Sequence, residues 1–172
     1  MRIPVALAAL ALTLSACGGG GTPTAASTAG ASASASASAT PSGVTANFGA
    51  PADLGNGVAV TVSTPASFTP GSFASNVMPG QVPNVFNVTV DNKGTTALDM
   101  TSVSVTASTA SSTCTDVLDG DNGINGAPTD PLAAGASTSF KFAISCDAKA
   151  GAPLSVNVTV GANSVTLDGK LA

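Results

Sequence analysis

The sequence predicts an all-β protein built as a sandwich of antiparallel strands. Short segments with an apolar residue at every second position are separated by glycine, proline, asparagine and aspartate, the residues that turns prefer. In a strand this alternation places one face in an apolar core and the other in water. Almost no segment of the 172 residues has apolar residues at helical spacing. Several short alternating strands of this kind are typical of a β-sandwich.

The alternation also identifies the residues expected to face the core. They are Val58, Val60, Val62, Phe86, Val88, Val90, Leu98, Met100, Val103, Val105, Phe140, Phe142, Ile144, Leu154, Val156, Val158, Val160, Val165, Leu167 and Leu171. The period changes between Met100 and Val103, and this change predicts a β-bulge. The folded domain is expected to span residues 44–172, a normal length for one domain.

The first 16 residues have the features of a secretory signal peptide. Arg2 gives a basic start, and an apolar run follows up to Leu14. The run is too short for a transmembrane helix, which needs about 20 residues. It ends in Leu14-Ser15-Ala16-Cys17, which resembles the lipobox of bacterial lipoproteins. The resemblance implies cleavage before Cys17 and a diacylglyceryl group on its sulfur.

A lipid on Cys17 predicts a protein anchored at the extracytoplasmic face of the cell membrane. Two acyl chains on one diacylglyceryl group give stable attachment, whereas a single chain holds a protein only marginally. The alternative is an ordinary signal peptide cleaved at the same small residues, with Cys17 left as an unmodified thiol.

Residues 17–43 are predicted to comprise the lipidated cysteine and a flexible linker. After Cys17 the segment contains only glycine, alanine, serine, threonine and proline. It cannot bury enough surface to offset an ordering cost of about 1–2 kcal/mol per residue. As a random coil it reaches about 30 Å from the membrane. Its composition also fits an O-glycosylated stalk, and the alternative is a bare spacer.

The charge of the chain excludes several classes of partner. The net charge is −4, and removal of Arg2 with the signal peptide leaves a few scattered lysines against aspartates. Nucleic acid and anionic lipid headgroups both require clustered lysine or arginine, so neither is expected as a partner. The expected partners are the membrane, through the lipid anchor, and a surface protein or glycan.

Two cysteines remain once Cys17 is assigned to lipid. An exported protein lies in a compartment where disulfides persist, so Cys114 and Cys146 are predicted to form a bridge. Closing this loop stabilises the fold by about 3–4 kcal/mol in the chain-entropy model. The alternatives are two reduced cysteines or a pair of metal ligands.

The sequence lacks most of the side chains that perform catalysis, and no cofactor is expected. It has no histidine, tyrosine or tryptophan. Histidine is the commonest general base and transition-metal ligand. A serine nucleophile would need lysine or aspartate as its base, and the domain contains no Ser-x-x-Lys. We therefore do not expect an enzyme, and an aspartate-based hydrolase is retained only as an alternative.

One loop contains enough oxygen ligands to be compared with a calcium site. Asp119, Asp121 and Asn122 lie close together in it, and Ca²⁺ binds six to eight oxygens. Gly123 occupies a position where a further oxygen ligand is needed, and no acidic residue follows at the bidentate position. The alternative is a solvated surface loop that uses these residues for its turns.

Two aromatic residues lie in a proline-rich segment that shows no strand pattern. Phe68 and Phe73 stand between Pro65, Pro70 and Pro79. Exposed together, they would form a binding patch. The alternative is that they pack across one end of the sandwich.

Two motifs resemble the DUF4352 family of immunoglobulin-like lipoprotein domains. The first is the strand and turn from Val88 to Gly94, with the pattern VTVxNxG, and the second is Pro131-Leu132-Ala133-Ala134-Gly135 before a strand that contains Phe140 and Phe142. Ala134 replaces the usual proline. The resemblance covers about residues 56–162 and implies an immunoglobulin-like, extracytoplasmic β-sandwich with no catalytic residues.

The function predicted from these observations is that of a membrane-anchored binding or interaction module whose ligand the sequence does not identify. The competing hypothesis is a passive structural component of the cell envelope. A contiguous exposed apolar or aromatic patch favours binding, whereas a uniform surface of threonine, asparagine and serine favours the passive role.

Overall fold

The structure, a computed structural model, describes residues 43–172. The predicted signal peptide, Cys17 and all but the last residue of the predicted linker lie outside the described residues. The described part contains ten strands. They are β1 (Gly43–Ala46), β2 (Pro51–Gly55), β3 (Val58–Val62), β4 (Ala66–Ser67), β5 (Val82–Asn92), β6 (Val103–Thr109), β7 (Thr115–Val117), β8 (Ser137–Cys146), β9 (Pro153–Val160) and β10 (Asn163–Lys170). No helix within residues 43–172 has the length and apolar character needed to cross a bilayer.

The strands form two sheets. One sheet has the order β1-β10-β9-β6, and the other has the order β2-β3-β5-β8-β7 with the short β4 beside β5. All pairs are antiparallel except β1 and β10, which are parallel. The predicted antiparallel all-β sandwich is therefore confirmed.

The strand order is that of an immunoglobulin-like sandwich. Strands β3, β5, β8 and β7 follow the order of immunoglobulin strands A, B, E and D, and β6, β9 and β10 follow the order of strands C, F and G. The hairpin partner β2 and the parallel edge strand β1 are additions to this arrangement. The disulfide differs in position, because it does not connect the strands equivalent to B and F.

The core lies between the two sheets and consists of the residues at alternating positions. Val62, Val88 and Val156 are fully buried, as the sequence pattern predicts. Phe86 and Phe142 are direct partners across β5 and β8, and their ring centroids lie 5.7 Å apart. Burying such apolar surface contributes roughly 25 cal/mol per Å² to the stability of the domain.

Two details of the predicted strands are wrong. The change of period before β6 is not a β-bulge but a 3-10 helix at Met100–Ser102, which Asp99 caps by accepting a hydrogen bond from the Thr101 N–H. Strand β1 begins at Gly43, a residue assigned to the linker. Gly43 has the same composition as the low-complexity linker before it, so composition alone does not locate the boundary between the linker and the domain.

The disulfide lies where the chain passes from one sheet to the other. Cys114 and Cys146 are bonded, with their Cα atoms 4.4 Å apart. The Cys114 N–H also donates to the Ala107 carbonyl at the end of β6, 2.9 Å away. Cys114 therefore connects the edge of one sheet to the end of β8 in the other.

The buried side chain of Asn92 joins two turns at the opposite end of the sandwich. Its Nδ2 donates to the carbonyls of Thr96, Leu132 and Ala133, at 2.9, 3.0 and 3.2 Å. Its Oδ1 accepts the Gly94 N–H at 3.1 Å. Asn92 is the asparagine of the VTVxNxG motif, and the carbonyls of Leu132 and Ala133 belong to the second motif. The two motifs are thus bonded to each other through one amide.

We predict that Asn92→Ala lowers the free energy of unfolding by about 2–4 kcal/mol, because the substitution removes four hydrogen bonds and leaves the Thr96 carbonyl and the Gly94 N–H without partners. Urea denaturation followed by circular dichroism measures the change. The matched control is Asn163→Ala, whose side chain makes no hydrogen bond to another described residue, and for which a change below about 0.5 kcal/mol is expected. Equal effects of the two substitutions would contradict the role of Asn92.

A second prediction concerns the disulfide. The double substitution of Cys114 and Cys146 by serine is expected to lower the free energy of unfolding by about 3–4 kcal/mol, because the unfolded chain regains the freedom of the closed loop. Urea denaturation of the oxidised, reduced and doubly substituted proteins measures this. Reduction should reproduce the effect of the substitutions, and unchanged stability after complete reduction would show that the bridge does not restrain the fold.

A candidate binding groove beside β8

Strand β8 is paired along its whole length on one side only. All ten of its residues pair with β5, from Ser137 opposite Asp91 to Cys146 opposite Val82. On the other side, β7 pairs with β8 only at Ala143, Ile144 and Ser145. The first part of β8 therefore has an edge that no other described strand covers.

Hydrogen bonds around β5 show which backbone groups of β8 face this edge. Asn87 exchanges bonds with Ser63 on the β3 side, whereas the Asn92 N–H donates to the Ala136 carbonyl on the β8 side. The backbone N–H and C=O groups of the even-numbered residues of β5 thus point toward β8. Since the register pairs even with even residues, the even-numbered residues of β8 bond to β5.

The odd-numbered residues of β8 consequently direct their N–H and C=O groups toward the open edge. Before the β7 pairing begins, these residues are Ser137, Ser139 and Lys141. No backbone hydrogen bond joins any of the three to another part of residues 43–172 on that side. All three are exposed.

A groove of about 710 Å³ lies beside this edge and extends across the exposed face of β8 as far as Asn87 of β5. Residues 138–141 of β8 and Asn87 of β5 line one side of it, and Gly123 with residues 125–129 lines the other. Phe140 is half-buried and contributes an aromatic surface. The volume lies in the range of about 300–1,000 Å³ typical of ligand sites.

Lys141 is the one charged side chain among the described residues that line the groove. Its ammonium donates to the Asn122 carbonyl at 3.0 Å, which holds the charge beside the opposite wall. The other polar groups are neutral amides and hydroxyls, including Ser139, whose hydroxyl accepts a hydrogen bond from Thr89 at 3.1 Å. The groove therefore suits a neutral or anionic group rather than a cation.

The wall opposite β8, residues 118–132, is anchored at two points. Ile124 is buried against Val117 and Ala143 in a small second cluster. At the far end Leu132 exchanges backbone hydrogen bonds with Leu98, at 2.8 and 2.9 Å. Because the wall is fixed by buried contacts, the groove is part of the folded structure.

Asp119 attaches this wall to the loop that follows β4. Its Oδ2 accepts the Gly71 N–H at 2.8 Å and the Asn122 Nδ2–H at 2.7 Å. The space beside Gly71 is tight, since a Cβ there would lie 3.0 Å from oxygens of both Asp119 and Asp121 and these side chains would have to shift by a few tenths of an ångström. The hydrogen bonds from Gly71 and Asn122 hold the pKa of the Asp119 carboxyl below 3.8.

Two of the three residues compared with a calcium site, Asp119 and Asn122, have other roles in the structure. Asp119 caps the 3-10 helix Gly120–Asn122. The amide nitrogen of Asn122, and not its oxygen, faces the Asp119 carboxylate. Within residues 43–172, no cluster of three or more aspartate or cysteine side chains is placed to hold a metal ion. The arrangement has the features of the surface-loop alternative, and calcium binding stays a prediction.

The two phenylalanines of the proline-rich segment separate. Phe68 packs against the second cluster with Val77 and Val85, whereas 90% of the Phe73 side chain is exposed. Met78 and Leu118 are also exposed. Phe68 and Phe73 therefore do not form a jointly exposed patch, because Phe68 is half-buried whereas Phe73 faces solvent.

The sequence reasoning missed the groove. The strand pattern of the sequence gives no role to Ser139 or Lys141, and the residues of the opposite wall are expected there only as a calcium candidate or a solvated surface loop. The signal that was present is the single apolar residue Val117 between Cys114 and the wall, which leaves room for only a short β7.

The described residues define a two-sheet, immunoglobulin-like β-sandwich protein with an open groove at one sheet edge. No protein-family model and no curated protein sequence matches the chain. Its fold is similar to the crystal structure of ycdA, a proposed lipoprotein from Bacillus subtilis, with a TM-score of 0.56 and 17% sequence identity over 69% of this chain. The chain spans 38% of the length of that protein. At this identity the likeness is one of fold.

A β-sandwich protein from Clostridium difficile 630 is more distantly similar. Its TM-score is 0.46 at 11% identity, and the match covers 74% of this chain and 95% of that one.

We predict that the Asp119 carboxyl makes the free energy of unfolding depend on pH. Because its folded pKa is depressed, its contribution is present above the ordinary value of 3.8 and is lost as the pH falls through the folded pKa. Asp119→Asn should show a smaller loss of stability on acidification below 3.8 than the wild type. Urea midpoints measured across this acidic range test the prediction.

The control for this series is Asp168→Asn, since Asp168 is an exposed aspartate of β10 in the other sheet. It should follow the wild-type curve. A curve for Asp119→Asn parallel to that of the wild type would show that the bond to Gly71 contributes nothing to folding.

Proposed function

We propose that the protein is a membrane-anchored extracytoplasmic lipoprotein whose β-sandwich domain is a binding module. The groove beside β8 is its ligand site. Residues 1–16 act as the signal peptide, Cys17 carries the lipid, residues 18–42 form the tether and the sandwich presents the groove to a partner outside the cell.

The anchor is supported by the order of the N-terminal features. A basic start, a short apolar run and Leu14-Ser15-Ala16-Cys17 occur in the arrangement that lipoprotein export requires. The two motifs joined by Asn92 add the resemblance to the DUF4352 lipoprotein domains. The disulfide is consistent with an oxidising compartment.

The binding role rests on one observation, the groove with its open backbone edge. A domain that only fills space has no need of a fixed concave surface with unpaired backbone donors and acceptors, which natural sheets usually cover or shorten. The lining combines an aromatic ring, one cation and several neutral polar groups, which is the chemistry of a ligand site.

Intact-mass spectrometry of the protein extracted from its native membrane tests the anchor. The expected mass begins at Cys17 and includes a diacylglyceryl group, and Cys17→Ala should be recovered without lipid in the soluble fraction. An unlipidated wild-type protein would contradict the anchor and leave the groove proposal to be tested separately.

The binding role is tested with the lipidated protein in detergent, presented to an array of purified glycans and to a displayed library of linear peptides. We expect binding from at least one set that weakens by about tenfold or more in Lys141→Ala, a change of about 1.4 kcal/mol. The matched control is Lys170→Ala, because Lys170 is an exposed lysine in the other sheet. Absence of binding from both sets would favour the passive structural role.

A further inference from the structure

We infer that the ligand of the groove is an extended peptide segment that adds to the sheet as a new strand along the open edge of β8. This inference rests on the proposed binding function and names the class of ligand. It follows from the backbone geometry of the edge, the closed far wall and the side chains on each side.

The edge presents a repeating set of main-chain groups. The N–H and C=O of Ser137, Ser139 and Lys141 all point into the same space and have no backbone partner there within the described residues. Groups repeated at every second residue match the hydrogen-bond pattern of a neighbouring strand and not that of a sugar ring. Strand addition of this kind supplies affinity through the main chain.

The opposite wall limits the occupant to one chain. Residues 125–129 and Gly123 close the groove on the side where a further strand of an incoming sheet would have to lie. The wall is fixed through buried Ile124 and through the bonds of Leu132. We therefore expect a single extended peptide between β8 and this wall, because the sheet of a second folded domain would meet the wall.

The side chains beside the edge define the peptide. In an added strand, alternate side chains lie next to the inner and outer faces of β8. On the inner side they meet Phe140 with Ala127 and Pro128 of the wall, which favours small apolar residues. On the outer side they meet Lys141, the one charge in the lining, which favours a carboxylate. The expected ligand therefore alternates apolar and acidic or neutral polar residues.

Amide hydrogen exchange of the ligand-free protein tests the open edge directly. We expect fast exchange at Ser139 and Lys141 and slow exchange at Phe140 and Phe142, whose N–H groups bond to β5. Protection of Ser139 and Lys141 before any ligand is added would show that the edge is already occupied and would overturn the inference.

Peptides selected from the displayed linear library test the mode of binding. Ser139→Pro removes the edge N–H and is tolerated because the bonds to β5 come from even-numbered residues. We expect it to weaken binding by about tenfold or more. Ser139→Ala removes only the hydroxyl and keeps the N–H, so it should bind within about twofold of the wild type. Urea denaturation of both variants checks that they fold.

The outcomes separate the two proposals. Selected peptides that protect Ser139 and Lys141 from exchange and lose affinity in Ser139→Pro support strand addition. Binding of a glycan that depends on Lys141 but is unaffected by Ser139→Pro would overturn the peptide inference and leave the binding function intact. Peptides that bind elsewhere on the domain would also overturn it, and no binding of either class would remove both proposals.

Discussion

The hydrogen bonds of the Asn92 amide determine how one end of this sandwich is closed. The side chain meets carbonyls from two turns that are distant in sequence, and it lies where β5 ends and where the chain approaches β8. Those bonds add to the backbone hydrogen bonds that hold Leu132 to Leu98 and that join Gly135 and Ala136 to the Asn92 backbone. The geometry of the groove is thus supported by a buried amide outside it.

The groove itself exists because two neighbouring strands differ in length. β8 has ten residues, and β7 covers only three of them before the chain turns away at Leu118 and Asp119. The turn is stabilised by the Asp119 carboxylate, which bonds to Gly71 on another loop. The same carboxylate that ends the short edge strand also positions the segment that faces it, so the open edge and its wall have a common origin.

The alternation of apolar residues was sufficient to predict the central strands of the two sheets, but it was not sufficient to predict the edge strands. Val88, Val156 and their neighbours alternate because they are buried on one face, and that signal is present in the sequence itself. β2 and β7 were missed because each contains few apolar residues and gains its strand conformation from a partner. The groove was not predictable, since it depends on which backbone groups are left unpaired, and pairing is a property of register between distant segments.

The bond between Cys114 and Cys146 also has a consequence for the chain as it folds. It fixes the start of β7 against the end of β8, and until it forms, the edge of β8 has no covalently held cover over the residues that β7 later pairs. A long uncovered strand edge is a template for association with other unfolded chains. Early formation of the disulfide is therefore expected to limit aggregation of the folding chain as well as to stabilise its fold, and the yield of folded protein should rise when the thiols are joined early.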